Sequence, residues 1–498
     1  MSDAERVLLE LADRYFLERV SFGRFCFHEL IRQYAHSCVM RHESESGRRQ
    51  AIGRMLGYYL QAADCADRTL HPRRDRWDAI PRQSPEGPPT FRMEEDAQTW
   101  MESEWRNLIC AMHYAADHEW SRQAIYLADT IAQFLDETGR WEDAEAIHYK
   151  ALKVAKDLEI PRAIAQGLLN LSVIQWRTGR FRDTFKSAIA ARGIFHTIPE
   201  PRAEAIALDW IGLSMWSASD YRASIAYFGE ARDVFHMVGD VHGEAICLVH
   251  MGISFWHTGR YRETLEDLQA ALGLFRDLGD RRWEANTLTN IGDVRLHLGH
   301  HRDAAKLYAE AQIIYRGVSE RRNNAILMAN VGNIKLYRGE PDVALAHYRE
   351  ALSVFAVMGN KPHETAILND IGVAFFRMAK YDESLIHHQR ALSIADETEN
   401  IYELTRALLG GADANAGTGR NAAALDGYRR CRSLSRKIGD PYLEARALNG
   451  IAEVALHNND QDAARIYWRQ ASDIFDQLGV PEAETVRIRL QCLGAAES

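Results

Sequence analysis

Along most of this chain the apolar positions recur every three to four residues, the spacing of one helical face. Residues 243–280 show the unit. Ile246, Val249, Met251, Ile253 and Trp256 fall on a first helix, and Leu265, Leu268, Ala271, Leu272 and Phe275 on a second. His257-Thr258-Gly259-Arg260 forms the turn between them, with glycine suited to the left-handed position that ends a helix. Neither helix can bury its apolar stripe alone, so such units must stack on neighbours.

The unit is copied nine times, with a period of 40 that holds without a gap from residue 122 to residue 481. Gly139, Gly179, Gly259, Gly299, Gly339 and Gly419 share one phase, with Ser219, Ala379 and Asn459 in the remaining places. Small residues recur at Ala151, Ala191, Ala231, Ala271, Ala311, Ala351, Ala391, Cys431 and Ala471. Such a phase lets neighbouring helices approach closely. The segment before the array reads differently. Residues 4–15 are expected to be helical, 16–20 and 24–28 to be strands around Ser21-Phe22-Gly23, and 28–40 and 48–70 to be helices. The stretch 71–92 holds five prolines and reads as a linker loop, in which Arg73, Arg74 and Arg76 are expected to be solvated. Residues 93–121 lead into the array, and 482–498 are read as a capping helix and tail.

Composition narrows the classes. With 46% hydrophobic and 26% charged residues, the chain is neither disordered nor collagen-like. Its 498 residues would suggest about three ordinary domains, a count that the repeat replaces with one array. A net charge of −10 gives no reason to expect direct nucleic-acid binding. The cysteines at 26, 38, 65, 110, 247, 431 and 492 make no C-x-x-C pair, which argues against a disulfide framework or a cysteine zinc site. No apolar run approaches the ~20 residues of a membrane span. The first ten residues lack the shape of a signal peptide, so a cytoplasmic location is expected. His297, His300 and His301 cluster around one turn, yet no cysteine or well-placed carboxylate makes them a zinc site. No H-E-x-x-H, G-x-S-x-G or G-x-x-x-x-G-K-[ST] occurs, so neither an enzyme nor a cofactor is expected.

The glycine phase at 212, 252, 292, 332 and 372, with the small and aromatic positions of the second helix, resembles the tetratricopeptide-repeat family. That resemblance implies an all-α, right-handed superhelical solenoid of 40-residue helix pairs. The stretches "RFCFHELIRQYAHSCV", "YYLQAADCADRTLHP" and "AQTWMESEWRNLICAMHYAADH" resemble the region that follows the ATPase core in NB-ARC regulators of the STAND class, common in actinobacterial antibiotic-pathway control. This second resemblance implies that residues 1–70 are a partial winged helix and that the array is a sensor arm, here without the ATPase core.

The first resemblance also implies that the first helices line a concave groove. Spacings of i, i+3, i+4, i+7, i+10 and i+11 from Gln166 then mark its surface. Two ladders result. Trp176, Trp216 and Trp256 lie one repeat apart, and tryptophan at helical spacing is equally at home in a core. Asn170, Asn290, Asn330 and Asp370 share a second phase, joined by Asn286, Asp293, Asn333, Asn369 and Arg377. Asparagine carries both a donor and an acceptor, which suits the backbone of an extended peptide, although at this phase it can instead bond between adjacent helices. Arg177 and Arg377 also read as ordinary solvated residues. The expected function is a non-enzymatic regulatory scaffold controlling transcription or secondary metabolism. It would hold a peptide, a protein segment or a small signal in the groove, with no membrane partner and a homo-oligomer left open. The alternative is a biosynthetic enzyme or accessory protein that holds a small molecule there.

Overall fold

The computed structural model describes residues 3–21, 24–74, 76, 90–316 and 321–495. The chain forms two compact units, Met1–Thr130 and Ile131–Ser498. The first holds α1 (Asp3–Asp13), β1 (Leu17–Ser21), β2 (Arg24–Phe27), α2 (Glu29–His42), α3 (Glu45–Leu70), α4 (Glu94–Asp117) and α5 (Ser121–Thr130). The second begins with α6 (Ala132–Glu137), α7 (Trp141–Asp157), α8 (Pro161–Arg177), α9 (Phe181–Thr197), α10 (Pro201–Ser217) and α11 (Tyr221–Met237). It continues with α12 (Val241–His257), α13 (Tyr261–Leu278), α14 (Arg281–His297), α15 (His301–Arg316), α16 (Arg321–Tyr337) and α17 (Pro341–Met358). It ends with α18 (Lys361–Arg377), α19 (Tyr381–Glu397), α20 (Ile401–Gly417), α21 (Asn421–Ile438), α22 (Pro441–His457), α23 (Gln461–Leu478) and α24 (Glu482–Ala495). The first helix expected at the start of the array is divided into α5 and α6.

In the N-terminal unit β1 and β2 pair antiparallel, with Leu17 opposite Phe27 and an irregularity between Arg19 and Ser21. Phe22 and Gly23 of the expected turn lie outside the described residues. No residue of α2 is buried, and Leu30 and Tyr34 on its apolar stripe are exposed. Helix α3 instead buries Leu56, Leu60, Ala63 and Ala66 and packs on α4 and α5. Most of the proline-rich linker, at 75 and 77–89, also lies outside the described residues. Its arginines correct the expectation of a solvated run. Asp67 is fully buried, and His71, Arg74 and Arg76 reach its carboxylate at 2.8, 2.9 and 2.8 Å. Arg74 also pairs with Asp129 at 3.0 Å. Burial works against the charge of Asp67, but Arg74, His71 and Arg76 outweigh it and hold its pKa down to about 2. A buried carboxylate needs such partners, and the sequence run alone did not reveal the acid.

In the C-terminal unit the even-numbered helices α6 to α22 are first helices and the odd-numbered α7 to α23 are second helices. The small phase is the packing seam: Ala191, Ala231, Ala271, Ala311, Ala351, Ala391, Cys431 and Ala471 are all fully buried. First-helix glycines sit under second-helix rings. A Cβ at Gly292 would overlap the ring of Tyr308, and one at Gly332 would stand 2.7 Å from that of Tyr348. The turn positions are left-handed, with φ of +75° at Gly259, and even Ala379 is held at +56°. Neighbouring first helices pack directly on one another, α18 on α20 and α20 on α22, which puts them on the inside of the curve.

The coil closes on itself. The turn at Gly139 meets Met358, Gly179 meets Thr398 and Lys361, Gly259 meets Leu478 and Pro441, and Gly299 meets Pro481. These partners lie roughly five units of the repeat apart. Aromatic clasps join the same levels. His257 meets the ring of Tyr402, and His297 that of Tyr442, each at 4.4 Å between ring centres. Arg282 and Glu137 form an ion pair across the same gap.

Candidate functional site on the inner face

One face of each first helix turns toward the axis. In α14 it carries Arg282, Asn286, Asn290, Asp293 and His297, and the same phases recur in every later unit. Tyrosines from the second helices reach this face where a glycine of a neighbouring first helix lets the ring pass. Tyr308, packed against Gly292, donates its hydroxyl to Asp293. Tyr348, packed against Gly332, donates to Asn333 Oδ1 at 2.7 Å. Tyr428, packed against Gly450, donates to Asp413 at 2.7 Å.

The expected polar ladder is a set of bonded neighbours. Asn290 Nδ2 donates to Asn286 Oδ1 at 3.1 Å, and Asn330 Nδ2 to Asp293 at 3.3 Å. Gln166 donates to Asn170 at 3.0 Å. Asp370 accepts from Arg406 at 2.7 Å, and Arg446 reaches Asp413 at 3.3 Å. Arg377 is exposed at the end of α18 and acts electrostatically on Tyr337 and Asp413. Asn369 departs from the ladder. It is buried, donates to Glu403 Oε2 at 2.9 Å and lies 3.0 Å from His388 Nδ1, so it belongs to the packing between helices. Leu169 and Asp209, one position from the axial phase, are buried for the same reason. Arg177 is likewise not an ordinary solvated residue: it forms two bonds to Asp136, at 2.8 and 2.9 Å.

The tryptophans are half-buried. Trp176 Nε1 donates to Ser217 Oγ at 2.9 Å, and its ring meets Trp210 edge-on. Trp216 leans on His257, and Trp256 packs beside Leu298 and Tyr442 in the core that joins successive levels of the coil. Of the three clustered histidines, His297 turns inward to Tyr261 Oη at 2.9 Å, while His301 lies against Tyr337.

Burial raises the pKa of Asp293 to about 7; Asp370 adds to the rise, while the bonds from Tyr308 and Asn330 oppose it. Asp370 and Asp413 are also raised by burial, against the pull of Arg406 and Arg446. Yet Asp370 and Arg406 keep 16% and 25% of their side-chain surface accessible, and Asp413 and Arg446 keep 22% and 35%. Groups that are desolvated but still touchable line an enclosed inner surface. Arg406, Asp413, Arg446, Tyr402 and Tyr442 were not among the expected site residues. Arg406 and Arg446 share the phase of Gln166 and Asn286, so carrying the same spacing through every unit would have found them.

Comparison with known proteins agrees with this architecture. Residues 244–317 and 323–397 match the tetratricopeptide-repeat family. Regulatory protein AfsR of Streptomyces griseus is 31% identical over 191 residues, covering 38% of this chain and 19% of that protein. The Streptomyces coelicolor protein of the same name is 40% identical over 65 residues, covering 12% of this chain and 6% of the relative. The chain thus aligns with less than a fifth of either relative's length. Among solved structures, a Rap protein complexed with competence and sporulation factor superposes with a TM-score of 0.54 at 16% identity, covering 72% of this chain and 99% of that one. A Rap conjugation regulator of plasmid pLS20, in complex with the Phr* peptide, gives 0.50 at 14% identity, covering 67% and 95%. The fold is a tetratricopeptide-repeat solenoid. Among the described residues no helix is long and apolar enough to cross a membrane.

Proposed function

We propose that this chain is a regulatory sensor scaffold that captures a peptide or a protein segment on the inner face of its coil. The row Asn290, Asn330 and Asp370, with Arg406 beside it, carries the reading. It offers donors and acceptors at the spacing of successive repeats, on a surface that is desolvated but open to contact. Partial similarity to AfsR-type regulators supports a regulatory setting in transcription or secondary metabolism. The Rap structures solved with factor or peptide support a peptide as the ligand class. In this reading no chemistry occurs on the scaffold. Binding acts by favouring one of two conformations, which requires the ligand to hold them with different affinity.

The test is capture from an array of synthetic heptapeptides, followed by calorimetry on the best binder. Replacing Asn290, Asn330 and Asp370 together by Ala is expected to weaken binding by about a hundredfold, since three bonds at about 1 kcal/mol each are lost. The helical circular dichroism should stay unchanged. Equal affinity in the triple variant would remove the inner face as the site. Native mass spectrometry of the purified chain separates the alternative, because a retained metabolite in place of a peptide would favour a small-molecule ligand.

A further inference from the structure

The repeats allow one unit to be checked against another. In α20 and α22 the inner face carries a complete triad: Asp413 accepts from Tyr428 and pairs with Arg446. One unit later, at the same phase, Glu453 pairs with Arg489. In α18 Asp370 has Arg406. In α16 the phase holds neutral Asn333, bonded to Tyr348, and the next unit offers only Ala366 where Arg446 would stand. The pattern is consistent: an acid on this face comes with a cation, and where the cation is missing the acid is an amide.

Asp293 breaks it. Tyr308 and Asn330 hold its carboxylate just as Tyr428 holds that of Asp413. The residue that corresponds to Arg446 is Ile326. The groups that act on Asp293 are Tyr308, Asn330 and Asp370, and none is a cation. Asn286 and Asn290, on the same helix face, are neutral donors and acceptors.

We infer that Asp293 is the ligand's cation-binding residue: the captured segment presents an ammonium or guanidinium group to it, in the place that Arg446 fills beside Asp413. This rests on the peptide-capture reading and specifies its ligand as one carrying a positive charge at that point. Asp293 is desolvated, so a charge partner there would be worth far more than on the surface. Burial and Asp370 raise its pKa with no cation to offset them, and a bound cation would lower it and release a proton near neutral pH.

The charge of the site can be read without any peptide. In a background with Cys26, Cys38, Cys65, Cys110 and Cys492 replaced by Ser, and the buried Cys247 and Cys431 retained, Asn290→Cys places a thiol one helical turn from Asp293. Its modification is timed with methanethiosulfonates bearing a trimethylammonium or a sulfonate group. The cationic reagent is expected to react faster, with a ratio that climbs as pH rises from 6 to 8. Adding Asp293→Asn should cut the ratio at pH 8 at least fivefold and flatten its pH dependence. Ile326→Arg, which supplies the cation internally, should do the same by another route. A ratio that survives both variants, a preference for the sulfonate, or no reaction with either reagent overturns the inference.

Peptides captured from the array are then tested in two arms, with the amino terminus acetylated and with each Lys or Arg replaced by norleucine. A tenfold loss in one arm identifies the source of the cation, and loss in neither overturns the inference. Peptide binding that is indifferent to Asp293→Asn likewise refutes the inference while leaving peptide capture standing.

Discussion

Gly179 and Gly339 occupy the same place in two units of one repeat, with φ of +80° and +77°. The first is buried beneath Thr398 of the next level of the coil; the second is exposed, with open space where a Cβ would stand. The same division runs through the molecule. Turns up to Gly299 lie under a later level, while those at Gly339, Ala379, Gly419 and Asn459 form an exposed rim. Identical repeat positions therefore differ in energy, because the solenoid has contacts between its coils in addition to those between neighbouring units. A nearest-neighbour account of repeat stability should fit the rim and fail for the covered levels.

Acid is the strongest way to test this, because the clasps between levels contain histidine. His257 lies among Tyr221, Tyr402, Trp216 and Trp256, with Arg406 acting on it, and burial, then Arg406, lower its pKa to about 3. His297 meets Tyr261, Tyr442 and Trp256, and burial lowers it to about 4, with Glu482 opposing and Arg446 assisting. Both rings are neutral when folded and take up a proton on unfolding below their ordinary 6.5. Their contribution is complete above about pH 6.5 and is lost as pH falls through 4 toward 3. At about 1.4 kcal/mol per pH unit per ring, the loss by pH 4.5 is on the order of several kcal/mol. Urea unfolding at pH 7 and pH 4.5 measures it, and amide exchange should rise first at Tyr402 and Tyr442. A His257→Gln, His297→Gln double variant whose pH slope equals that of the parent would show that the clasps do not carry this dependence.

Removing one clasp comes next. Tyr442→Ala takes away the ring against His297 and the hydroxyl bond to Glu482 at 2.7 Å. Truncating this half-buried aromatic to Ala, with its hydroxyl bond lost as well, costs about 3 kcal/mol. The exposed rim residue Tyr337, at 52% accessibility, replaced in the same way should cost about 1 kcal/mol at most. Equal losses in urea unfolding would erase the distinction between covered and open levels.

These contacts explain what the sequence could and could not convey. The helix pairs, their turns and their seams were legible because each depends on residues less than 40 apart, repeated in register: Gly259 in its turn, Ala271 in its seam. Much of the inner face was legible too, since Asn290, Asn330 and Asp370 share a phase. The pairing of Asp370 with Arg406 was not foreseen, although their phases were available. The closure of the coil was not legible at all. It brings His297 to Tyr442 and Gly259 to Leu478, and those separations follow from the pitch and radius of the superhelix, which no local pattern encodes. Asn369 was misplaced for a simpler reason. One residue of phase, about 100° around a helix, separates the axial face from the seam.

Asp440 gives a prediction of opposite sign within the same contact. It caps α22 by accepting from Leu443 N at 2.9 Å, and it is buried near Tyr221, Tyr261 and Tyr402. Burial pushes its pKa up to about 7, against the backbone bonds that favour the charge. Its contribution is therefore complete below about pH 3.8 and is lost as pH rises through 7. Asparagine caps a helix nearly as well as aspartate and carries no charge. Asp440→Asn should thus stabilise the chain by about 2–4 kcal/mol at pH 8 and by about 2 kcal/mol less at pH 5. A thermal melt at each pH tests this, and a gain that is equal at both would assign the effect to capping alone.

The finest test returns to the paired glycines. Ala at either position pays for a left-handed backbone, about 1 kcal/mol, and Ala379 at φ +56° shows that the repeat tolerates it. At Gly339 that is the whole expected cost. At Gly179 the new methyl would stand 2.9 Å from Thr398 Cγ2, so the two levels must part or Thr398 must move. Overpacking of this kind adds about 1–3 kcal/mol. Gly179→Ala should therefore lower stability by about 1 kcal/mol or more beyond Gly339→Ala, and Thr398→Ser, which removes that methyl, should recover most of the difference. Recovery would place the excess at the contact between levels, since Thr398→Ser leaves the backbone at residue 179 as strained as before. Without recovery, the two glycines would differ in their own turns, and the closure of the coil would carry less of the fold's stability than its contacts suggest.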